Sequence, residues 1–357
     1  MYDNSNRKAG TFYEEKAQKK IKKKNIIKHR IILTTSFLSL TFILATGYSA
    51  FSTNLTLNTK GNIKELTASQ FLKAGVVTTG DGLYKDTTEE GRYIYKGKSP
   101  NNYIKFNNEL WHIVSIETDS TLKIIRKNSI GMLPFDEPNN RNNENNTYCN
   151  HTSYNDADGS QSYNGCGIWG KINGTYNNSI YSGTITENST LNNYLNTTYL
   201  DSLKDRNHIT SHIFYTGTTR SDTSVEKLTQ SEKTETWYGT VGLINTSDFI
   251  KASTNTQCTT KNTSRTSSNP CSYENGNYLS ESKVEMWVLD HTDGVDSEKY
   301  GTGYSIPQHN TADQNGLGWL SGYYSDHAYV VKPTLFLKST IKIKGNGTTN
   351  EPYQIIN

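Results

Sequence analysis

The sequence predicts an α+β fold of small, twisted, mainly antiparallel sheets, with one or two helices and long disulfide-stapled loops, preceded by one transmembrane helix. Three observations carry this expectation. Short β-branched and aromatic runs recur between clusters of Asn, Asp, Ser and Gly, the pattern of strands and turns. A single stretch, 189–203, keeps a helical apolar period. Residues 31–51 form a run of 21 positions without a charge, which as a helix reaches roughly 31 Å, close to the roughly 30 Å hydrocarbon core of a bilayer.

That uncharged run organises the rest. Residues 1–30 carry ten Lys/Arg against three Asp/Glu, a net of +7 in a chain whose net charge is +3, so the remainder is net −4. The positive-inside bias then predicts a cytoplasmic tail over 1–30, a signal-anchor over 31–51, a stalk over 52–90 and an extracellular α+β domain over 91–357. A cleaved signal peptide ending near Ala45-Thr46-Gly47 is the competing reading, but the apolar run exceeds the usual signal core. The lysines of the tail sit beside the apolar run, where contact with anionic lipid explains them; the acidic remainder argues against a nucleic-acid partner. Only 33% of the chain is hydrophobic, while 39 Asn and 24 Tyr stand out, as in exported β-rich surface proteins.

In chain order, Tyr93–Tyr95, Tyr103–Phe106, Leu110–Glu117 and Thr121–Arg126 read as strands, with Asn107-Asn108 and Asp119-Ser120 at the turns. Strict alternation puts Trp111, Ile113 and Ser115 on one face and His112, Val114 and Ile116 on the other, so both faces of this sheet are covered. The helix over 189–203 presents Leu191, Tyr194, Leu195, Tyr199 and Leu203 on one stripe and is capped by Asn188 or Ser189. Strands follow at Ile213–Tyr215, Thr240–Ile244, Val284–Leu289, Tyr329–Leu337 and Thr340–Ile343, with a short helix over Ser247–Ala252. Two polar excursions hold the cysteines. Local bridges Cys149–Cys166 and Cys258–Cys271 fit an oxidising exterior better than a four-cysteine metal site, because the spacings of 17 and 13 are far from the close pairs that zinc favours.

The succession Trp111-His112-Ile113-Val114, Leu122-Lys123-Ile124-Ile125-Arg126, Ser189-Thr190-Leu191, Val241-Gly242-Leu243-Ile244 with Asp248, Trp287-Val288-Leu289 and Val331-Lys332-Pro333-Thr334-Leu335 resembles a family of exported, membrane-anchored surface domains of low-GC Gram-positive gut bacteria. The resemblance spans about residues 90–356. Lys332 stands where that family usually has Arg. At fold level the resemblance implies a C-type-lectin-like module, of the broad kind seen in formylglycine-generating enzymes, and it carries no activity with it.

Candidate sites are few. Asp290, Asp293, Asp296 and Glu298 place four carboxylates within nine residues, the hard oxygen ligands that gather calcium. Trp237, Tyr238, Trp319, Tyr323 and Tyr324 are candidates for an aromatic surface that stacks on sugar or peptide. There is no Gly-x-Ser-x-Gly and no phosphate-binding Gly-Lys-Ser/Thr. The sequence thus reads as a single-pass, membrane-anchored extracellular surface protein with an adhesion-like ectodomain that binds a glycan or protein without catalysis. A surface-assembling structural subunit and an exported oxidase or hydrolase are the alternatives.

Overall fold

A computed structural model describes residues 18–20, 22–25, 65–137, 139–141, 152–153, 162–163, 167–171, 175–177, 182–219, 224–259, 269–280, 285–292, 308–312, 320–325 and 327–356. The chain divides into two units, Met1–Lys64 and Glu65–Asn357. In the first, residues 18–20 and 22–25 are helical and exposed.

The second unit opens with α1 (Ala68–Lys73), β1 (Gly82–Lys85), β2 (Tyr93–Lys96), β3 (Tyr103–Phe106), β4 (Glu109–Ile116), β5 (Leu122–Arg126) and β6 (Met132–Pro134). Two short ribbons follow, β7 (Thr152–Ser153) with β8 (Ser162–Tyr163) and β9 (Thr175–Asn177) with β10 (Ser182–Thr184). Then come α2 (Thr190–Tyr194), β11 (Ile209–Thr210), β12 (His212–Tyr215), β13 (Thr218–Thr219), α3 (Val225–Glu232), β14 (Thr236–Gly239), β15 (Val241–Gly242) and α4 (Thr246–Lys251). The chain closes with β16 (Met286–Thr292), β17 (Gln308–Ala312), β18 (Leu320–Tyr324), β19 (Ala328–Val330), β20 (Thr334–Leu337), β21 (Lys342–Lys344) and β22 (Tyr353–Ile356).

Strand β4 is the axis of a ten-stranded sheet. One edge pairs with β5, and the other is divided between β3 along its first half and β2 at its end. Two left-handed residues, Asn107 (φ 53°) and Asn108 (φ 64°), make the tight turn between β3 and β4, the conformation Asn tolerates best among residues with a Cβ. The sheet continues from β5 through β20 to β11 and β15, and from β3 through β22 to β21. A second, six-stranded sheet has the order β18-β17-β16-β19-β6, with β13 added on β16.

Burial follows this layout. Trp111, Ile113, Val114 and Ile116 of β4 are wholly inaccessible, as are Leu122 and Ile124 of β5. Helix α2 is capped by Ser189, whose hydroxyl accepts from the Asn192 amide, and it runs on through a π-helical turn at Leu195–Tyr199. There the Asn196 side chain bonds both the amide and the carbonyl of Val241, standing in for a neighbouring strand. Leu191 and Leu195 are buried as the apolar stripe requires, whereas Tyr194 is exposed.

Several expectations are corrected. The fold is not a set of small C-type-lectin-like sheets. Its main element is a large mixed sheet curled into a half-barrel, accompanied by the six-stranded sheet and few helices. Within the large sheet β22 joins β3 in parallel, and β4 carries a bulge between Ile113 and Ser115, a local insertion that increases twist. The bulge also breaks the expected alternation. Ile113 pairs with Ile124 but Ser115 pairs with Lys123, and because Lys123 and Ile124 face opposite ways, Ser115 leaves the face of Ile113.

The expected stalk ends early, since the second unit begins at Glu65 and buries Ala68, Leu72 and Leu83 in its core. As for the transmembrane helix, no helix among the described residues is long and apolar enough to cross a membrane, so the anchor has no support here. Residues 31–51 themselves lie outside the described residues.

Two glycines share a left-handed backbone but differ in surroundings. Gly347 (φ 76°) accepts the Tyr103 amide, and a Cβ there would lie 2.3 Å from the Asn101 carbonyl oxygen. Gly80 (φ 76°) has open space instead. Urea denaturation is expected to show Gly80→Ala destabilised by about 1 kcal/mol. Gly347→Ala should lose more than that, because the closing turn must also shift.

Candidate functional site

Helix α4 is short, polar and wholly buried, and this combination builds the charged heart of the molecule. Its first-turn N–H groups have no partner within the helix. Here they meet carboxylates. Thr246 donates its amide (2.7 Å) and hydroxyl (2.6 Å) to Asp290. Ser247 donates its amide (2.8 Å) and hydroxyl (2.5 Å) to Glu232 at the end of α3. Asn245 caps the helix, and Asp248 reaches back to the Asn245 amide.

Asp248 is also where the sheet's cations converge. Arg92 Nη2 lies 2.7 Å from one of its oxygens and Lys123 Nζ 2.5 Å from the other. Arg92, leading into β2, further binds Asp86 (2.7 Å), Glu117 (3.0 Å) and the Ser115 hydroxyl (3.0 Å). Lys251, in the last turn of α4, reaches Asp86 (3.1 Å) and the Thr88 hydroxyl (2.5 Å). The β2–β4 register puts Ser115 on the face of Arg92, and the bulge in β4 sets Lys123 opposite Ser115 on that same face.

Burial alone would raise every carboxylate in this cluster. For Asp248, Lys123 and then Arg92 overcome it and hold the group well below the usual range. For Asp86, Lys251 and Arg92 do the same and hold it at about 2. Glu232 lacks such a cation: burial, reinforced by the Asp290 charge, pushes it up to about 8. Beside the cluster is a cavity of about 20 Å³, bordered by Arg92, Lys123, His212 and Phe336, room for about one water.

The open surface offers a larger feature. Between β1, β2, α3 and the segment after α4 lies a cleft of about 520 Å³, within the roughly 300–1,000 Å³ of small-molecule sites. The Cys258–Cys271 disulfide, the pairing expected from spacing, staples the segment along one wall. Tyr84 also lines the cleft, its hydroxyl held by the Gly80 carbonyl. A smaller cavity of about 230 Å³ lies beside Trp237, bordered by Ile168, Gly170 and Thr216.

The remaining expected site residues fare differently. Asp290 is buried on β16 and occupied by Thr246, so it is not part of an exposed calcium loop; Asp293, Asp296 and Glu298 lie outside the described residues. Among the described residues no group of three or more His, Cys, Asp or Glu is arranged to hold a metal. Trp237 and Tyr238 are neighbours on β14 and face opposite ways. Trp237 packs against Trp169 and Phe214, while Tyr238 is 71% exposed. Tyr323 and Tyr324 pair through β18 with His309 and Gln308 of β17, and Trp319, Cys149 and Cys166 lie outside the described residues. The expected stacking surface is thus not assembled by Trp237 and Tyr238.

The cluster under α4 was not anticipated. Its one sequence signal is Lys123, a lysine set within Leu122-Lys123-Ile124-Ile125, where a strand covered on both faces has no place for an unpaired charge. No protein-family model, curated protein or solved structure matches the chain.

Two outcomes are expected from this geometry. Arg92→Met leaves Asp86, Glu117 and Asp248 short of a buried cation, and denaturant titration should show a loss of about 3–5 kcal/mol. Glu232 keeps its proton in the folded chain up to about pH 8 but releases it when unfolded near the ordinary carboxylate value, so its contribution is full in acid and is lost as pH rises through that window. Its share of the slope is up to about 1.4 kcal/mol per pH unit. Glu232→Gln keeps the shape and the Ser247 contacts, so its melting temperature should match the parent at pH 4 and exceed it at pH 9.

Proposed function

We propose that the second unit is a non-catalytic ligand-binding module of an exported protein, with the cleft beside the Cys258–Cys271 loop as its ligand seat. The observation that carries this reading is how polar groups are distributed. The ionisable groups that converge, Arg92, Lys123, Lys251, Asp86, Glu117 and Asp248, are neutralised by one another inside the protein. Beside Lys96, Glu226 and the already paired Lys251, the cleft presents mainly hydroxyls, a tethered tyrosine ring and a stapled wall, the equipment of recognition. The disulfide supports an oxidising compartment, in keeping with the exported domains that the motif succession resembles.

The test is a screen of the full chain against immobilised glycans and extracellular proteins, with calcium and again with chelator. Saturable binding that survives chelation is the expected result, because Asp290 is committed to Thr246. A blank screen under both conditions overturns the reading and favours the structural-subunit alternative, which sedimentation would reveal as self-association. Turnover of any arrayed compound would favour the enzyme.

A further inference from the structure

The alternation of β2 places Arg92, Ile94 and Lys96 on one face, that of α4 and the cleft. Arg92 and its companions Lys123 and Lys251 are matched one for one by Asp86, Glu117 and Asp248. Lys96 is the surplus cation. Among the described residues it makes no ion pair or hydrogen bond, and its Nζ rests 5.5 Å from the centre of the Tyr84 ring at the wall of the 520 Å³ cleft. Desolvation lowers its basicity, the Lys251 charge pushes the same way, and Asp86 opposes both. A half-buried ammonium with a ring on one side gains most from an anion arriving on the other.

The rest of the lining narrows the class. Thr78, Thr79, Thr87, Thr254, Thr256 and Thr259 border the cleft, and each hydroxyl can both donate and accept. That suits a ligand with several hydroxyls of its own. Tyr84, fixed through Gly80, supplies a flat wall of the kind that stacks on a sugar ring at little entropic cost. The acidic lining residue Glu226 is exposed on α3, so water screens its charge more than that of half-buried Lys96.

We propose that this cleft binds a carboxylate-bearing sugar, with Lys96 contacting the carboxylate, the threonines the hydroxyls and Tyr84 the ring. The inference rests on the reading that the cleft is the ligand seat.

Calorimetric titration of the full chain with digalacturonic acid and with its neutral counterpart galactobiose tests it. The uronate should bind saturably and weaken as salt is added, while galactobiose binds at least tenfold more weakly. Lys96→Met should reduce uronate affinity roughly 10- to 100-fold, the worth of one charged hydrogen bond, with melting temperature unchanged. Lys96→Arg should restore most of it. Glu226→Gln, an exposed change that leaves folding intact, should strengthen uronate binding several-fold and keeps the test decisive even if Lys96→Met unfolds. Lys98→Met, which removes an exposed pair with Glu274, should change nothing. The inference is overturned if uronate and galactobiose bind equally, if neither Lys96→Met nor Glu226→Gln shifts uronate affinity, or if an acidic peptide displaces the uronate at lower concentration. A positive ligand screen with no uronate binding overturns this inference alone; a blank screen removes the ligand-seat reading beneath it.

Discussion

The contact on which the rest depends is Asp248 held between Arg92 and Lys123. It joins the lead-in to β2, the middle of β5 and the first turn of α4, and through Arg92 it draws in Asp86 and Glu117 as well. Each of these groups would be costly to bury alone. Together they are close to neutral and nearly every polar atom is used, which is the condition under which a buried network specifies one arrangement and disfavours near alternatives. The half-barrel thus has an apolar side, built on Trp111 and Ile113, and an ionic seam where α4 sits.

The position of that seam explains why charge is available at the cleft. Arg92 leads into β2 and Lys96 ends it, and both point the same way, yet Arg92 is ion-paired to three carboxylates while Lys96 lies over a tyrosine ring in a threonine-lined cleft and feels Asp86 only as a non-bonded charge. Lys251 borders both regions and is held by Asp86 and Thr88, so it closes the interior cluster without adding a free charge to the cleft. The polar interior and the open site thus share one strand, and Lys96 is the cation on it that no carboxylate pairs.

Much of the local structure was legible in the sequence, and the reason is steric. Asn107-Asn108 and the β-branched runs around it leave the backbone few alternatives, and β3 falls on Tyr103–Phe106 as expected. Ser189 announces α2 because its hydroxyl can satisfy a first-turn amide. The bulge at Val114 was not legible, because an inserted residue leaves the apolar pattern of β4 unchanged while turning Ser115 to the opposite face. Nor was the fate of Asp290, whose acidic neighbours in sequence suggest solvent while its partner Thr246 is 44 residues away. The Glu65 boundary was obscured by polarity, since Ala68 and Leu72 are too few to stand out until α1 is seen against β21. Long-range pairing of single polar residues leaves no periodic trace, and the candidate site is made of such pairs.

Helix α4 also decides which of its ends can face a ligand. At its start, the amides of Thr246 and Ser247 are taken by Asp290 and Glu232, and the Asn245 side chain takes the amide of Asp248. No first-turn donor is left to hold an incoming anion, so the usual attraction of a helix N-terminus is used up inside the fold. At the other end the carbonyls of Phe249, Ile250 and Ala252 accept from Asn277, Ser253 and Gly97. Those bonds, with Lys251 in the same turn, offset the negative end of the helix that would otherwise repel an anion near the cleft. With both termini satisfied internally, the helix is electrostatically quiet toward the open site, and the cation there that no carboxylate pairs is Lys96.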